Sequence, residues 1–263
     1  MMYSLRDSLF QVPAMLIAVI FFVMIYSLNW LGYKFKERIS RLHPDKDFSI
    51  GTAEGSLLGL MALLLAFSFG TASTKFESRR QAIIDEANFI NDAILRCDLY
   101  PDSIKQSLLP DFKHYVEARI QYFEAGDNPR KVKVSLDDSR KYLDLIWKKT
   151  AVLQVNKEMY SRAEKLIPVL ISMNNIMTIR EAGRVAAVPT LVILVLLMLV
   201  FVAGFLTGFG TKLGHRNAML SMAFAFMTSA VLYLVMELSR PRQGYVNLTN
   251  AQERIVDLRR FFD

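Results

Sequence analysis

The sequence is poor in the residues that build covalent and metal cross-links. Its 263 residues contain one cysteine, Cys97, so no disulfide can form within the chain. The three histidines, His43, His114 and His215, are isolated, and no pair of them has the spacing of metal ligands. We therefore expect neither a disulfide framework nor a metal site.

Motifs of catalysis and nucleotide binding are also missing. The sequence has no Gly-rich phosphate loop, no G-x-S-x-G and no H-E-x-x-H. Its carboxylates and basic residues lie at helical pair spacing, as in Arg140 and Asp144, which is typical of solvated helix faces. We therefore expect no enzyme and no cofactor.

Hydrophobic residues make up 52% of the chain and are concentrated in four uncharged runs. Each run is long enough to cross about 30 Å of hydrocarbon as a helix rising about 1.5 Å per residue. The runs are Val12–Leu31, Gly55–Thr74, Val185–Thr211 and Asn217–Met236. Since no segment alternates like a strand, the sequence predicts an all-α integral membrane protein with four transmembrane helices.

These runs divide the chain into four parts. Residues 1–74 hold transmembrane helices 1 and 2, residues 75–184 a helical soluble portion, residues 185–237 helices 3 and 4, and residues 238–263 a C-terminal tail.

Local signals suggest the helices of the soluble portion. We expect one helix over Phe112 to Ala125, a basic loop over Asp127 to Val134, and a capping box of Ser135 and Asp138. Pro168 is expected to kink a later helix or to mark its start.

The second run continues into an amphipathic helix with no Pro or Gly between them. After Thr74, small or apolar residues recur at helical spacing: Phe76, Ile83, Ala87, Ile90, Ile94 and Cys97. The other face carries Glu77, Arg79, Asp85, Glu86 and Asp92. One continuous helix is therefore predicted from Gly55 to Tyr100.

The net charge of +7 comes largely from basic residues that flank the apolar runs, as in proteins that contact lipid headgroups rather than nucleic acid. The positive-inside rule is ambivalent for this chain, and we favour both termini and the soluble portion in the cytoplasm; the compact four-span form suggests a bacterial inner membrane. The opposite orientation stays open, because it would place the basic residues between the first two runs inside. After the fourth run, Arg240, Pro241 and Gly244 predict a turn at the membrane face.

One face of the second run combines apolar, small and hydroxyl residues. At about 100° per residue, a third of the circumference collects Ser56, Leu60, Leu63, Phe67, Gly70, Thr71 and Thr74. A seam for close helix packing is one interpretation, supported by a stripe of small residues: Gly55, Gly59, Ala62, Ala66, Gly70 and Ser73.

A pore is the second interpretation, and it is compatible with the first. Copies of the helix around an axis would form rings of Leu63 and Phe67 as an apolar constriction, followed by rings of Thr71 and Thr74. Positive charge at one mouth would then attract anions, and it would come from Lys75, Arg79 and Arg80.

The segment LLAFSFGTASTKFESRRQAI, residues 64–83, resembles the second helix of the bacterial bestrophin-like membrane proteins, a family named for its likeness to bestrophin anion channels. Two further segments resemble that family, EANFINDAILRCDLYPD from Glu86 and ELSRPRQG from Glu237. Related bacterial bestrophins carry a Phe, a Thr/Asn-rich stretch, an aromatic residue and an Arg in the order seen here for Phe67, Thr71, Ala72, Lys75, Phe76 and Arg80.

This resemblance implies a homopentamer around a central axis, with a neck lined by the second helix and a cytoplasmic vestibule below it. Phe67 and Leu63 are implied as neck residues, and Leu60 on the same face is grouped with them. Gly59 stands where bestrophins have a third bulky residue, and it is grouped with Gly70, Thr71 and Thr74 as pore-lining or packing residues. The expected partners are other copies of the chain, the lipid bilayer and small anions such as chloride.

Two other functions stay open. A flagellar-stator-like motor would need a partner chain with a carboxylate within the membrane, because Glu54 and Glu237 lie at the ends of runs. A non-conducting sensor or scaffold would use the helical portion to bind a ligand or a protein.

Overall fold

The computed structural model describes residues 14–43, 51–126, 128–185, 190–239 and 246–263, and within these ranges every regular element is a helix. In chain order they are α1 (Ala14–Leu42), α2 (Gly51–Cys97), α3 (Asp102–Glu124), α4 (Pro129–Leu153), α5 (Tyr160–Val185), α6 (Thr190–Gly210), α7 (Ala218–Leu238), α8 (Thr249–Val256) and a 3-10 helix (Asp257–Phe261). The prediction of an all-α chain is confirmed.

Four of these helices are long and apolar enough to cross a membrane, namely α1, α2, α6 and α7. They correspond to the four predicted runs. Val185, expected to open the third span, instead ends α5, and α6 begins at Thr190. Asn217 precedes α7 and caps it, since its side-chain oxygen accepts a hydrogen bond from the amide of Leu220 at 3.2 Å.

The chain forms two compact units. Unit 1 comprises residues 1–76 and 187–246, and unit 2 comprises residues 77–186 and 247–263. The helix α2 runs without interruption from Gly51 to Cys97 and so contributes residues to both. That residues 75–184 form a soluble portion stays a prediction.

In unit 1, helix α1 packs against α6 and α7. Buried side chains from α1, α2, α6 and α7 form the core: Ile25, Met61, Leu65, Leu196, Val200, Ala203, Ala225 and Leu232. The backbones of α1 and α6 approach each other closely. A Cβ built on Gly208 would overlap the carbonyl oxygen of Asn29, and one built on Gly32 would overlap that of Phe205. Glycine is therefore required at both positions.

Unit 2 contains α3, α4, α5, α8, the 3-10 helix and the part of α2 that follows Phe76. The predicted stripe on α2 is buried from Ile83 onward, and it includes Ala87, Ile90, Ile94 and Cys97. The C-terminal elements pack on α3. There Arg259 donates two hydrogen bonds of 2.7 Å to the carboxylate of Glu117, which holds the end of the chain in place.

Two predicted helix boundaries in unit 2 are wrong. Helix α3 begins at Asp102 rather than Phe112, and it runs through Pro110. Helix α4 begins at Pro129, within the predicted loop, because Asn128 accepts hydrogen bonds from two backbone amides and proline suits the first turn.

Two further residues lie inside helices. Ser135 lies within α4 and donates to the carbonyl of Lys131 at 2.9 Å, so the predicted capping box is wrong. Pro168 lies within α5, which begins eight residues earlier at Tyr160, so Pro168 does not mark the start of that helix, and the expected kink stays a prediction.

The α1–α6 contact predicts a specific effect of adding one methyl group. We expect Gly208→Ala to lower the melting temperature of the detergent-purified protein by several degrees, because the Cβ meets backbone that can move only if the helices separate. Overpacking of this kind costs about 1–3 kcal/mol. The matched control is Gly183→Ala, where the nearest atom to a new Cβ is the Arg79 Cγ at 3.8 Å. Equal melting temperatures for the two variants would contradict the close contact.

Candidate functional site

The predicted neck residues lie on an exposed side of α2. Leu60, Leu63 and Phe67 are 47%, 67% and 63% exposed. Unit 1 buries a different side of the same helix, which presents Met61 and Leu65 to the core. Within one copy of the chain, the three neck residues therefore face outward.

The stripe of small residues on α2 is exposed as well. A Cβ built on Gly59 or Gly70 would meet no atom within 4 Å, and Ala62 and Ala66 are exposed. The glycines that do bring helices together in unit 1 lie on α1 and α6 instead. Among the described residues no other part of the chain covers this stripe, which leaves it available to lipid or to another protein molecule.

The hydroxyl groups on this face bond to their own helix. Thr71 donates to the carbonyl oxygen of Phe67 and Thr74 to that of Gly70, each at 2.9 Å. Ser56 donates to the carbonyl of Thr52 at 3.1 Å. This arrangement satisfies each hydroxyl hydrogen without water. A hydroxyl that donated to a passing anion would first have to rotate out of this bond.

Two of the three predicted vestibule cations contact groups in unit 2. The Nε of Arg79 donates to the carbonyl oxygen of Gly183 at 2.9 Å, in the last turn of α5, where backbone carbonyls lack helical partners. Arg80 pairs with Glu77 at 2.8 Å, and both side chains are exposed. Lys75 is half-buried. The role of these residues toward an ion stays a prediction.

The predicted turn at the membrane face cannot be compared with the structure, because Arg240, Pro241 and Gly244 lie outside the described residues. Next to it, Glu237 is buried and accepts a hydrogen bond from the amide of Val246 at 3.3 Å. Across the ranges that the structure describes, no three His, Cys, Asp or Glu side chains come close enough to hold a metal ion.

Unit 2 contains an ionic cluster that the sequence analysis missed. Glu86, expected on a solvated face, is fully buried and accepts hydrogen bonds from Arg119, at 2.5 Å, and from Arg180. The guanidinium of Arg180 also lies 3.4 Å from the side-chain oxygen of Gln252 on α8. These four residues, here called the Glu86 cluster, connect α2, α3, α5 and α8.

Aromatic side chains surround this cluster. The guanidinium carbon of Arg119 lies 4.5 Å from the centre of the Tyr122 ring, and that of Arg180 lies 5.6 Å from the same ring. Both are within the range of a cation–π interaction. Tyr115 is fully buried one helical turn before Arg119.

The sequence did contain a signal for the cluster. Glu86 lies three residues after Ile83 and four before Ile90, and so within the apolar stripe of α2. Arg180 likewise follows Ile176 by four residues, and both are buried. A charged residue at a stripe position is a candidate for a buried ion pair, whereas the charge pattern alone suggested a solvated face.

Solved structures share this helical architecture. A crystal structure of a bacterial bestrophin homolog from Klebsiella pneumoniae, with a single mutation, matches with a TM-score of 0.74 at 12% identity, over 94% of this chain and 99% of that one. A second mutant of a Klebsiella pneumoniae bestrophin homolog matches with a TM-score of 0.72 at 10% identity, over 91% and 98%. No protein-family model matches the sequence, and neither does any curated protein. The structural likeness shows that this chain has a bestrophin-like fold.

Proposed function

We propose that copies of this chain assemble into a ring, with five copies favoured, and that α2 lines a pore for small anions such as chloride. The observation that carries this proposal is the exposed side of α2. It has glycines and hydroxyls among large apolar residues, and a Cβ built on Gly59 or Gly70 would meet no atom of the described residues within 4 Å. A ring would give this side protein neighbours, and the bestrophin-like fold supports such an assembly.

The proposed neck is apolar. Leu63 and Phe67 lie one helical turn apart on α2, and both project away from unit 1. In a ring they form two successive hydrophobic constrictions, which can close to ions by excluding water. Leu60 lies nearly one turn before Leu63, and the neighbouring Gly59 adds no side chain to narrow the passage.

Selectivity for anions would arise outside the neck, because residues 55–74 carry no charge. The hydroxyls of Thr71 and Thr74 can rotate to donate to an anion. Lys75, Arg79 and Arg80 follow them, although Glu77 offsets part of the charge of Arg80. Repetition of this set around an axis would build up a positive potential at one mouth.

We propose that unit 2 and both termini lie in the cytoplasm. The native Cys97 is fully buried, so an introduced cysteine reports its own accessibility. In intact cells, we expect a membrane-impermeant maleimide to label Leu213→Cys, in the α6–α7 connection, and to spare Val155→Cys in unit 2. Leu213 and Val155 are 42% and 87% exposed. Labelling of Val155→Cys and not of Leu213→Cys would show the opposite orientation, with unit 2 outside the cell.

Particle symmetry tests the assembly. We expect single-particle images of the detergent-purified protein to show a fivefold ring with residues 55–74 nearest the axis. A monomer or a dimer would leave no shared axis for a pore and would favour the sensor or scaffold.

Chloride flux in liposomes tests conduction. We expect Phe67→Ala to raise the flux at least several-fold, because it widens one of the two proposed apolar constrictions. The matched control is Phe69→Ala, which removes an exposed phenylalanine about 200° around the same helix and should leave the flux unchanged.

Each alternative gives a different pattern in this assay. Absence of flux from the wild type and both variants would reject a channel and favour a non-conducting sensor or scaffold. An equal change in both variants would show a general effect on the helix rather than a neck at Phe67.

A further inference from the structure

The Glu86 cluster carries an excess of positive charge in the interior of unit 2. Two guanidinium groups, of Arg119 and Arg180, face the single carboxylate of Glu86. Arg119 and Glu86 are fully buried, and Arg180 is 8% exposed. Since an uncompensated charge is costly away from water, a buried cluster with a net charge of about +1 calls for a counter-ion.

The cluster also has more hydrogen-bond donors than acceptors. Both terminal nitrogens of Arg119, the amide nitrogen of Gln252 and the hydroxyl of Tyr115 are buried and have no hydrogen-bond partner among the described residues. The carboxylate and amide oxygens of the cluster are already used, because both Glu86 oxygens bind arginine and the Gln252 oxygen faces Arg180. Buried donors are normally paired, so the unused ones indicate a missing acceptor.

These donors keep their protons at neutral pH. Burial, together with the Glu86 carboxylate, raises the pKa of Tyr115 well above its usual value, so the phenol stays protonated. Burial acts to lower the pKa of Arg119, but the Glu86 carboxylate outweighs it and raises that pKa. The hydrogen bond to Glu86 uses the Nε of Arg119, and both terminal nitrogens remain without a hydrogen-bond acceptor among the described residues.

We propose that unit 2 binds a small monovalent anion, such as a halide, at the terminal nitrogens of Arg119. Tyr115 lies one turn away on α3 and supplies a further donor, and Gln252 supplies another from α8. An anion accepts hydrogen bonds and neutralises the excess charge, whereas a water molecule would leave that charge in place. The site lies inside a single copy of the chain and does not depend on conduction through a pore.

Thermal unfolding of the full-length, detergent-purified protein tests the site. Sodium bromide is exchanged for sodium gluconate at constant ionic strength, so that only the small anion changes. We expect the melting temperature to rise by several degrees and to saturate with bromide, because a ligand that binds only the folded state stabilises it. Bromide-soaked crystals should give an anomalous peak beside Arg119.

Gln252→Glu is the diagnostic variant. It keeps the side-chain shape and places a second carboxylate beside Arg180, so it supplies the missing negative charge. In gluconate we expect it to melt near the temperature of the bromide-saturated wild type and to lose the dependence on bromide. Tyr115→Phe removes one donor and should weaken the apparent affinity for bromide several-fold.

The matched control is Arg140→Gln. Arg140 is an exposed arginine in the same unit and pairs with Glu181 at 2.9 Å, so its loss should leave the bromide shift unchanged. A wild-type protein that melts at the same temperature in bromide and gluconate would overturn the proposal. Retention of the full shift in both Gln252→Glu and Tyr115→Phe would place the anion elsewhere, for example in a pore. An ordered water without anomalous signal beside Arg119 would also reject the site.

Discussion

The absence of water from the hydrocarbon core of a bilayer is the constraint on which unit 1 depends. Every backbone amide and carbonyl must find a partner within the chain there, and a helix provides one in each segment. On α2, Thr71 and Thr74 donate to carbonyl oxygens one turn earlier, so each hydroxyl is satisfied within the helix until it rotates toward another acceptor.

The two units achieve tight packing by different means. Lipid offers little hydrophobic gain when helices associate, so α1 and α6 gain contact through glycines that bring their backbones together. In unit 2 an apolar stripe on α2 packs into a core, as in water-soluble bundles. Within this core, Glu86 forms buried ion pairs with two arginines and so connects three helices.

The four spanning helices could be predicted from the sequence, because the length and hydropathy of an apolar run are local properties of the chain. The burial of Ile83 to Cys97 also followed from spacing alone. The helix start at Pro129 was missed although Asn128 and Pro129 form a good local signal, because the basic residues after them suggested a loop. Exposure of Phe67 and burial of Glu86 depend on which neighbours a helix face meets. In a single sequence, the only sign of such burial is a charged residue within an apolar stripe, as Glu86 is on α2.

The hydrogen bond from Arg79 to the carbonyl of Gly183 joins two positions that are 104 residues apart. It therefore brings together the two ends of the segment that begins in α2 and ends in α5. A segment whose ends meet can be inserted into a host fold without stretching it, as inserted domains usually are. Evolution can therefore lengthen, shorten or exchange the helices between these positions while the entry and the exit keep their separation. In this sense the part of unit 2 between Arg79 and Gly183 resembles an inserted segment, and the hydrogen bond from Arg79 fixes the distance between its two ends.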